Sequence, residues 1–261
     1  MTAHGGMTTT MPDLSLTVLG STGGFPAAGT ATSGYLVEAG TTHLVLDLGS
    51  GTLSRLLGVL DIEDIDAVIL SHLHFDHCAD LFVLQYAIQS EMARKERDRP
   101  LSVFAPDSPE AVQKLIDDSP FFERIPIRDG MEVVIGDIAV RFFAVRHAVE
   151  TYAVRLTSDS GETLFYTGDT GYFDGLSEYA EGADMILADT AFENGTPREG
   201  KPLMHMTPEE AENLRKTAHA GALLATHLPN RREEREQVEK EIDISMGNVV
   251  QELGQYFVNS D

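Results

Sequence analysis

The sequence predicts an α/β fold in which two β-sheets lie face to face between layers of helices. Two observations carry this. Strand-like apolar runs occur in both halves of the 261-residue chain, with helical segments interspersed in each half. Apolar residues make up 42% of the chain, an ordinary globular share in a length that can bury a sizeable core.

In order, Leu14 to Leu19 forms a first strand, ended by Gly20-Ser21-Thr22-Gly23-Gly24-Phe25-Pro26. Ser33 to Glu38 and Thr42 to Asp47 form a hairpin about Ala39-Gly40. Thr52 to Leu60 has helical periodicity, and Ala67 to Leu70 is a short buried strand. Asp76 to Met92 is a helix with Asp76 placed to cap it, and a charged loop runs from Ala93 to Pro100. Leu101 to Ala105 is a strand and Ser108 to Ile116 a helix. Four strands follow, Met131–Ile135, Ile138–Val145, Tyr152–Thr157 and Thr163–Tyr166. Helix and strand then alternate: Tyr172–Ala180, Met185–Ala188, Thr207–His219, Ala222–Thr226 and Asn230–Glu241, with a final strand within Val249–Val258. There is no short-period repeat, low-complexity tract or clear linker, so residues 13–261 are expected to form one domain. Residues 1–12 are small and polar without an apolar signal core, and are expected to be a disordered tail.

Composition limits the function classes. No apolar run reaches the roughly 20 residues of a membrane-spanning helix. The single cysteine, Cys78, rules out an intrachain disulfide and fits a cytoplasmic location. A net charge of −23 repels polyanions and disfavours large nucleic acid as a substrate.

The chemistry-bearing segment is Ser71-His72-Leu73-His74-Phe75-Asp76-His77. It leaves a buried strand, so His72 and His74 point the same way, because side chains alternate with a period of two. Asp76 and His77 begin the next helix and turn back toward the same point. Imidazole and carboxylate donors in one small volume suit zinc, with manganese or iron as alternatives. Later histidines and aspartates, His147, Asp169 and His227, each follow an apolar run, where a strand-end loop can converge on that volume. His4, His43 and His219 have no comparable setting.

His-x-His-x-Asp-His resembles the signature of the metallo-β-lactamase superfamily. Arg146-His147-Ala148, Tyr166-Thr167-Gly168-Asp169-Thr170 and Ala225-Thr226-His227-Leu228 resemble its later motifs, in order. The resemblance extends from about Leu14 to the C-terminal strand. It implies the αββα four-layer sandwich, two sheets flanked by helices, and a site for two divalent metal ions. His72, His74 and His147 would hold the first ion; Asp76, His77 and His227 would hold the second; Asp169 would bridge them. A metal-bridging hydroxide would then be the nucleophile, since metal binding lowers the pKa of water to about 7. Histidine at position 74 argues against the diiron oxygen-reducing branch, which carries glutamate there.

Further segments resemble the ribonuclease Z-like phosphodiesterases. Thr207, Pro208 and Glu210 form a helix-capping signature that pins His205 just before a helix start. In that branch such a histidine contacts the scissile phosphate, so His205 joins Asp76 as a candidate catalytic residue. Leu187-Ala188-Asp189-Thr190-Ala191-Phe192 resembles the element whose glutamate supports this histidine, with the shorter aspartate in its place. The glycines of Gly20–Gly24 could bring backbone amides to an anion. The tRNA-processing members carry a protruding arm between the third and fourth motifs. Here the span from His147 to Asp169 is used up by two strands and a turn at Ser158–Gly161.

The leading expectation is a dinuclear phosphodiesterase acting on small phosphodiesters, cyclic nucleotides among them. The alternative is a ribonuclease Z-like endoribonuclease, which would need a basic patch around Arg94, Lys95, Arg97 and Arg99 or around Arg231, Arg232 and Arg235. Both runs are interleaved with acids. A lactonase or thioesterase is a third reading, against which His205 speaks. A catalytically idle metal- or partner-binding protein is a fourth, against which the ligand set speaks. No membrane partner is expected, and the resemblance leaves room for a homodimer.

Overall fold

The computed structural model describes residues 13–197, 200, 203–242 and 247–259. The first sheet holds, in spatial order, β1 (Leu14–Gly20), β2 (Gly34–Ala39), β3 (Thr42–Leu48), β4 (Ala67–Ile69), β5 (Leu101–Ala105) and β6 (Phe122–Pro126). The second holds β7 (Glu132–Ile135), β8 (Ile138–Ala144), β9 (Tyr152–Ser158), β10 (Thr163–Tyr166), β11 (Met185–Asp189), β12 (Ala222–Thr226) and β13 (Gly247–Val249). The last strand, β14 (Gln255–Phe257), returns to the first sheet and pairs with β1. Each sheet has an antiparallel part built from hairpins, β1–β3 and β7–β10. Each then continues as a parallel part, from β3 to β6 and from β10 to β13.

Alternation assigns the faces. Leu16, Leu46, Val154, Leu164, Leu187 and Leu224 meet between the sheets. Their neighbours Val45, Phe165 and Ile186 point outward, under the helices. A slip of one residue would exchange the two sets, so register is strongly specified. Four helices, α1 (Thr52–Leu56), α2 (Phe75–Cys78), α3 (Leu81–Arg94) and α4 (Glu110–Asp117), place apolar residues on the outer face of the first sheet. Against the second sheet lie α5 (Leu176–Tyr179), α6 (Pro208–Thr217) and α7 (Arg232–Glu241). The result is the expected α/β sandwich of two helix-flanked sheets. No helix among the described residues is long and apolar enough to cross a membrane.

Some expectations change. The helix expected over Asp76–Met92 is two helices, because the Asp80 N–H donates to Leu48 O of β3 (3.0 Å) and leaves the helical ladder. Asp76 does not cap; its carboxylate turns toward the histidines. The helices expected over Thr52–Leu60 and Tyr172–Ala180 are shorter. Two strands escaped the sequence reading: β6, an edge strand of sequence Phe-Glu-Arg-Ile-Pro, and β13, only three residues long. The tail expected over residues 1–12 lies outside the described residues.

Candidate metal centre

The parallel strands of both sheets end at one edge, and their C-terminal loops supply the site. After β4 the chain runs extended through His72 and His74, then α2 brings back Asp76 and His77. His147 follows β8, Asp169 follows β10, His227 follows β12, and His205 precedes α6. His227 sits at φ 51°, a left-handed backbone that costs a non-glycine residue about 1–3 kcal/mol and turns its ring into the site.

All seven residues expected as ligands converge. His72 Nε2 lies 2.9 Å from His74 Nδ1, and His147 Nε2 lies 3.2 Å from the same atom. Asp169 Oδ2 is 3.6 Å from His72 Nε2 and 3.8 Å from His147 Nε2. On the other side, His227 Nε2 is 3.3 Å from Asp76 Oδ2 and 3.3 Å from Asp169 Oδ2. His77 Nε2 is 3.3 Å from Asp169 Oδ1. Asp169 therefore stands between two groups, His72/His74/His147 and Asp76/His77/His227.

The outer hydrogen bonds assign the ring protons. Ser71 Oγ donates to Asp47 Oδ2 (2.8 Å), so it accepts from His72 Nδ1–H (3.0 Å). His77 Nδ1–H donates to Asp47 Oδ2 (2.8 Å), and His147 Nδ1–H donates to Met204 O (3.2 Å). The Nε2 lone pairs of all three rings thus face inward. A proton on His74 Nδ1 could serve only one of the two nitrogens facing it. His77 Nε2 and Asp169 Oδ1 are buried without a hydrogen-bond partner. Facing lone pairs, orphaned polar atoms and buried carboxylates together fit divalent cations, whose binding would satisfy all of them.

Electrostatics follow the same division. Burial, then the charge of His77, holds His72 well below the ordinary histidine range. Burial also lowers His74 and His147. Burial pulls His227 down too, but Asp169, Asp189 and Asp76 outweigh it and raise it to about 10. Burial acts to raise the Asp76 carboxyl, yet the His227 hydrogen bond and the His77 charge take it below the usual range.

His205 belongs to neither ligand group of the expected set, although its ring gathers with Asp189 close to Asp169 and His227. Its Nδ1–H donates to Asp189 Oδ2 (2.8 Å), and its ring stacks on His227 at 5.0 Å. The same Asp189 oxygen accepts from Thr170 N, and Oδ1 accepts from Ala191 N. Aspartate therefore reaches His205 despite being one methylene shorter than glutamate. Burial lowers His205, but the Asp189 charge and hydrogen bond raise it above the ordinary range. His205 lines a cleft of about 350 Å³ with His74, Asp76, His147, Asp169 and His227. The glycine loop serves the centre differently from expectation. Gly24 N–H donates to Asp76 Oδ2 (2.8 Å), so the anion it meets is the Asp76 carboxylate. A Cβ on Gly23 would lie 2.6 Å from His227 Cε1.

Asp47 was missed by the sequence reading. It is the last residue but one of β3, at φ 53° and fully buried. Its Oδ2 accepts from Ser71, His77 and Tyr166 OH (2.6 Å), and its Oδ1 accepts from Ser71 N (2.7 Å). The available signal was an acid inside an apolar run, Leu44-Val45-Leu46-Asp47-Leu48, just before Gly49-Ser50-Gly51. Of the histidines left out of the site, His43 Nδ1–H donates to Asp64 O (3.2 Å), away from the centre.

The family model described as Beta-lactamase superfamily domain matches residues 35–228. The probable metallo-hydrolase YhfI of Bacillus subtilis (strain 168) is 37% identical over 218 residues, 83% of this chain and 88% of the relative. A ribonuclease Z of Methanopyrus kandleri is 28% identical over 251 residues, 83% of this chain and 87% of the relative. The crystal structure of YhfI, a metallo-β-lactamase fold protein, matches with a TM-score of 0.84 at 32% identity, covering 93% and 98% of the two chains. A diphosphatase from the PhnP family matches at 0.75 and 18% identity, covering 93% and 96%. Unliganded yeast PDE1 matches at 0.72 and 13% identity, covering 95% and 100%. At the last two identities the likeness is one of fold.

Proposed function

The chain belongs to the metallo-β-lactamase superfamily and is a metallo-hydrolase, and from that premise we propose that it hydrolyses small phosphodiesters at a two-metal centre. The observation that carries this reading is His205, held by Asp189 at the cleft and outside both ligand groups. Such a cationic group beside the metals suits a phosphodiester, whose transition state gathers charge on the phosphate oxygens and on the leaving oxygen. Relatives named ribonuclease Z and a neighbour named a diphosphatase support chemistry at phosphorus.

In this reading His72, His74 and His147 would hold one ion and Asp76, His77 and His227 the other, with Asp169 placed to serve both. The donor set suits zinc, and manganese or iron less closely. When bound, the ions supply Lewis acidity and a water acidified to a pKa of about 7. Asp76, with Oδ2 already engaged by Gly24 N–H and His227, acts as a ligand. His205, with Nδ1–H fixed by Asp189, presents Nε2 to the substrate. Despite the ring's burial, the Asp189 carboxylate raises its pKa and so favours the cationic form, which can hydrogen-bond a phosphate oxygen and protonate the leaving oxygen as charge builds there.

Two observations favour a small substrate over RNA. Between His147 and Asp169 the chain is taken up by β9 and β10, with no arm. Acids lie among the residues of both candidate basic runs: Arg94 stands against Glu91 and Glu96, Arg232 against Glu236 and Arg235 against Glu239, while Arg97 donates to Ile65 O.

The test is His205→Ala, assayed with metal analysis on a phosphodiester whose leaving group is poor. We expect both ions retained and kcat reduced about 10²–10⁴-fold. A near-wild-type kcat would remove His205 from the mechanism. An activated aryl leaving group needs no proton and would hide the effect.

A further inference from the structure

The cleft is unevenly charged. Among the described residues that line it, none is a lysine or arginine, and Ala191, Phe192, Leu228 and Pro229 make an apolar wall. Two of its acids, Asp76 and Asp169, belong to the ligand groups. The third, Glu234, belongs to none; it stands in the first turn of α7 and reaches the cleft beside Asn230. Its ion-pair partner is Arg231 at 3.4 Å, with side chains 79% exposed for Arg231 and 44% for Glu234. Solvent loosens and screens a pair this exposed, and only its carboxylate member lines the cleft. Glu233 occupies the same first turn without lining the cleft, so the helix dipole alone does not account for an acid at position 234.

We propose that Glu234 selects substrates by charge, favouring phosphodiesters with one negative charge over ligands carrying a second, as phosphomonoesters and diphosphates do. The inference rests on the phosphodiesterase reading above. The scissile phosphoryl group is drawn to the metal centre in either case. Any further charge meets no described lysine or arginine on the cleft wall and is repelled by Glu234. The apolar wall screens that repulsion less than water would. The same charge helps product leave. Hydrolysis of a cyclic diester breaks one P–O bond, adding hydroxyl to phosphorus and a proton to the leaving oxygen. One negative charge becomes nearly two at neutral pH.

The test is equilibrium binding to metal-loaded protein, which needs no turnover. The probes are a 3′,5′-cyclic nucleotide, its 5′-monophosphate and inorganic diphosphate. For Glu234→Gln we expect affinity for the monophosphate and diphosphate, relative to the cyclic diester, to rise about three- to tenfold at low salt. The gain should shrink at about 0.5 M salt. Arg231→Gln, which strips Glu234 of its partner, should move the ratio the other way. An unchanged or reversed ratio in Glu234→Gln would overturn the proposal. Should wild-type protein bind these ligands yet hydrolyse no phosphodiester, the functional reading fails, while the binding ratio still decides the role of Glu234.

Discussion

Asp47 holds more of the site together than any ligand does, although it is not expected to touch a metal. One carboxylate oxygen fixes the Nδ1–H of His77 and the hydroxyl of Ser71, which in turn fixes His72. Rings on both sides of Asp169 therefore depend on it. Asp47→Asn places an amide where four donors converge on two oxygens, so its NH2 must face a donor with a donor. Losing such an outer partner typically weakens metal binding about 10–100-fold. Chelator competition on the purified variant should show a loss of that size; wild-type affinity would mean the rings are held by packing alone. At this scale the sequence was uneven. Each candidate ligand was legible because its motif surrounds it. Asp47 was not, since an acid at a strand end has the same local pattern whether it faces solvent or an interior hub. Only the pairing of β3 with β4 brings it to Ser71.

At the scale of elements, α6 matters most, because its start sets the place of His205. Thr207 Oγ1 accepts from Glu210 N (3.3 Å), and the Glu210 carboxylate accepts from Thr207 N (3.1 Å), closing the capping box read from the sequence. Thr207→Ala should cost about 0.5–2 kcal/mol of stability. It should also lower kcat on a phosphodiester more than it alters metal content, because it loosens His205 and no ligand. Thermal unfolding and steady-state kinetics on one preparation check both; a loss of metal with kcat per ion unchanged would contradict this. Long alternating strands and the capped start of α6 were legible. The split between α2 and α3 was not, because it depends on the Asp80 N–H finding Leu48 O in a strand distant in sequence. Nor was β6, whose charged, proline-ended sequence suits an edge and lacks a buried period.

At the scale of the whole molecule, two half-parallel sheets bring the carboxyl ends of their strands to one edge, and loops from both sheets complete the centre. The apolar pattern predicted two sheets between helices, but not which strand ends meet; the ordered motifs supplied that. The same scale bears on substrate. A net charge of −23, a cleft of about 350 Å³ and a short span between His147 and Asp169 all favour a small diester. The most direct measurement is a side-by-side assay of metal-replete protein on 2′,3′- and 3′,5′-cyclic nucleotides and on a tRNA precursor at physiological salt. We predict turnover of at least one cyclic nucleotide and little processing of the precursor. Efficient cleavage of the precursor at its 3′ processing site, with no turnover of the small diesters, would contradict the account.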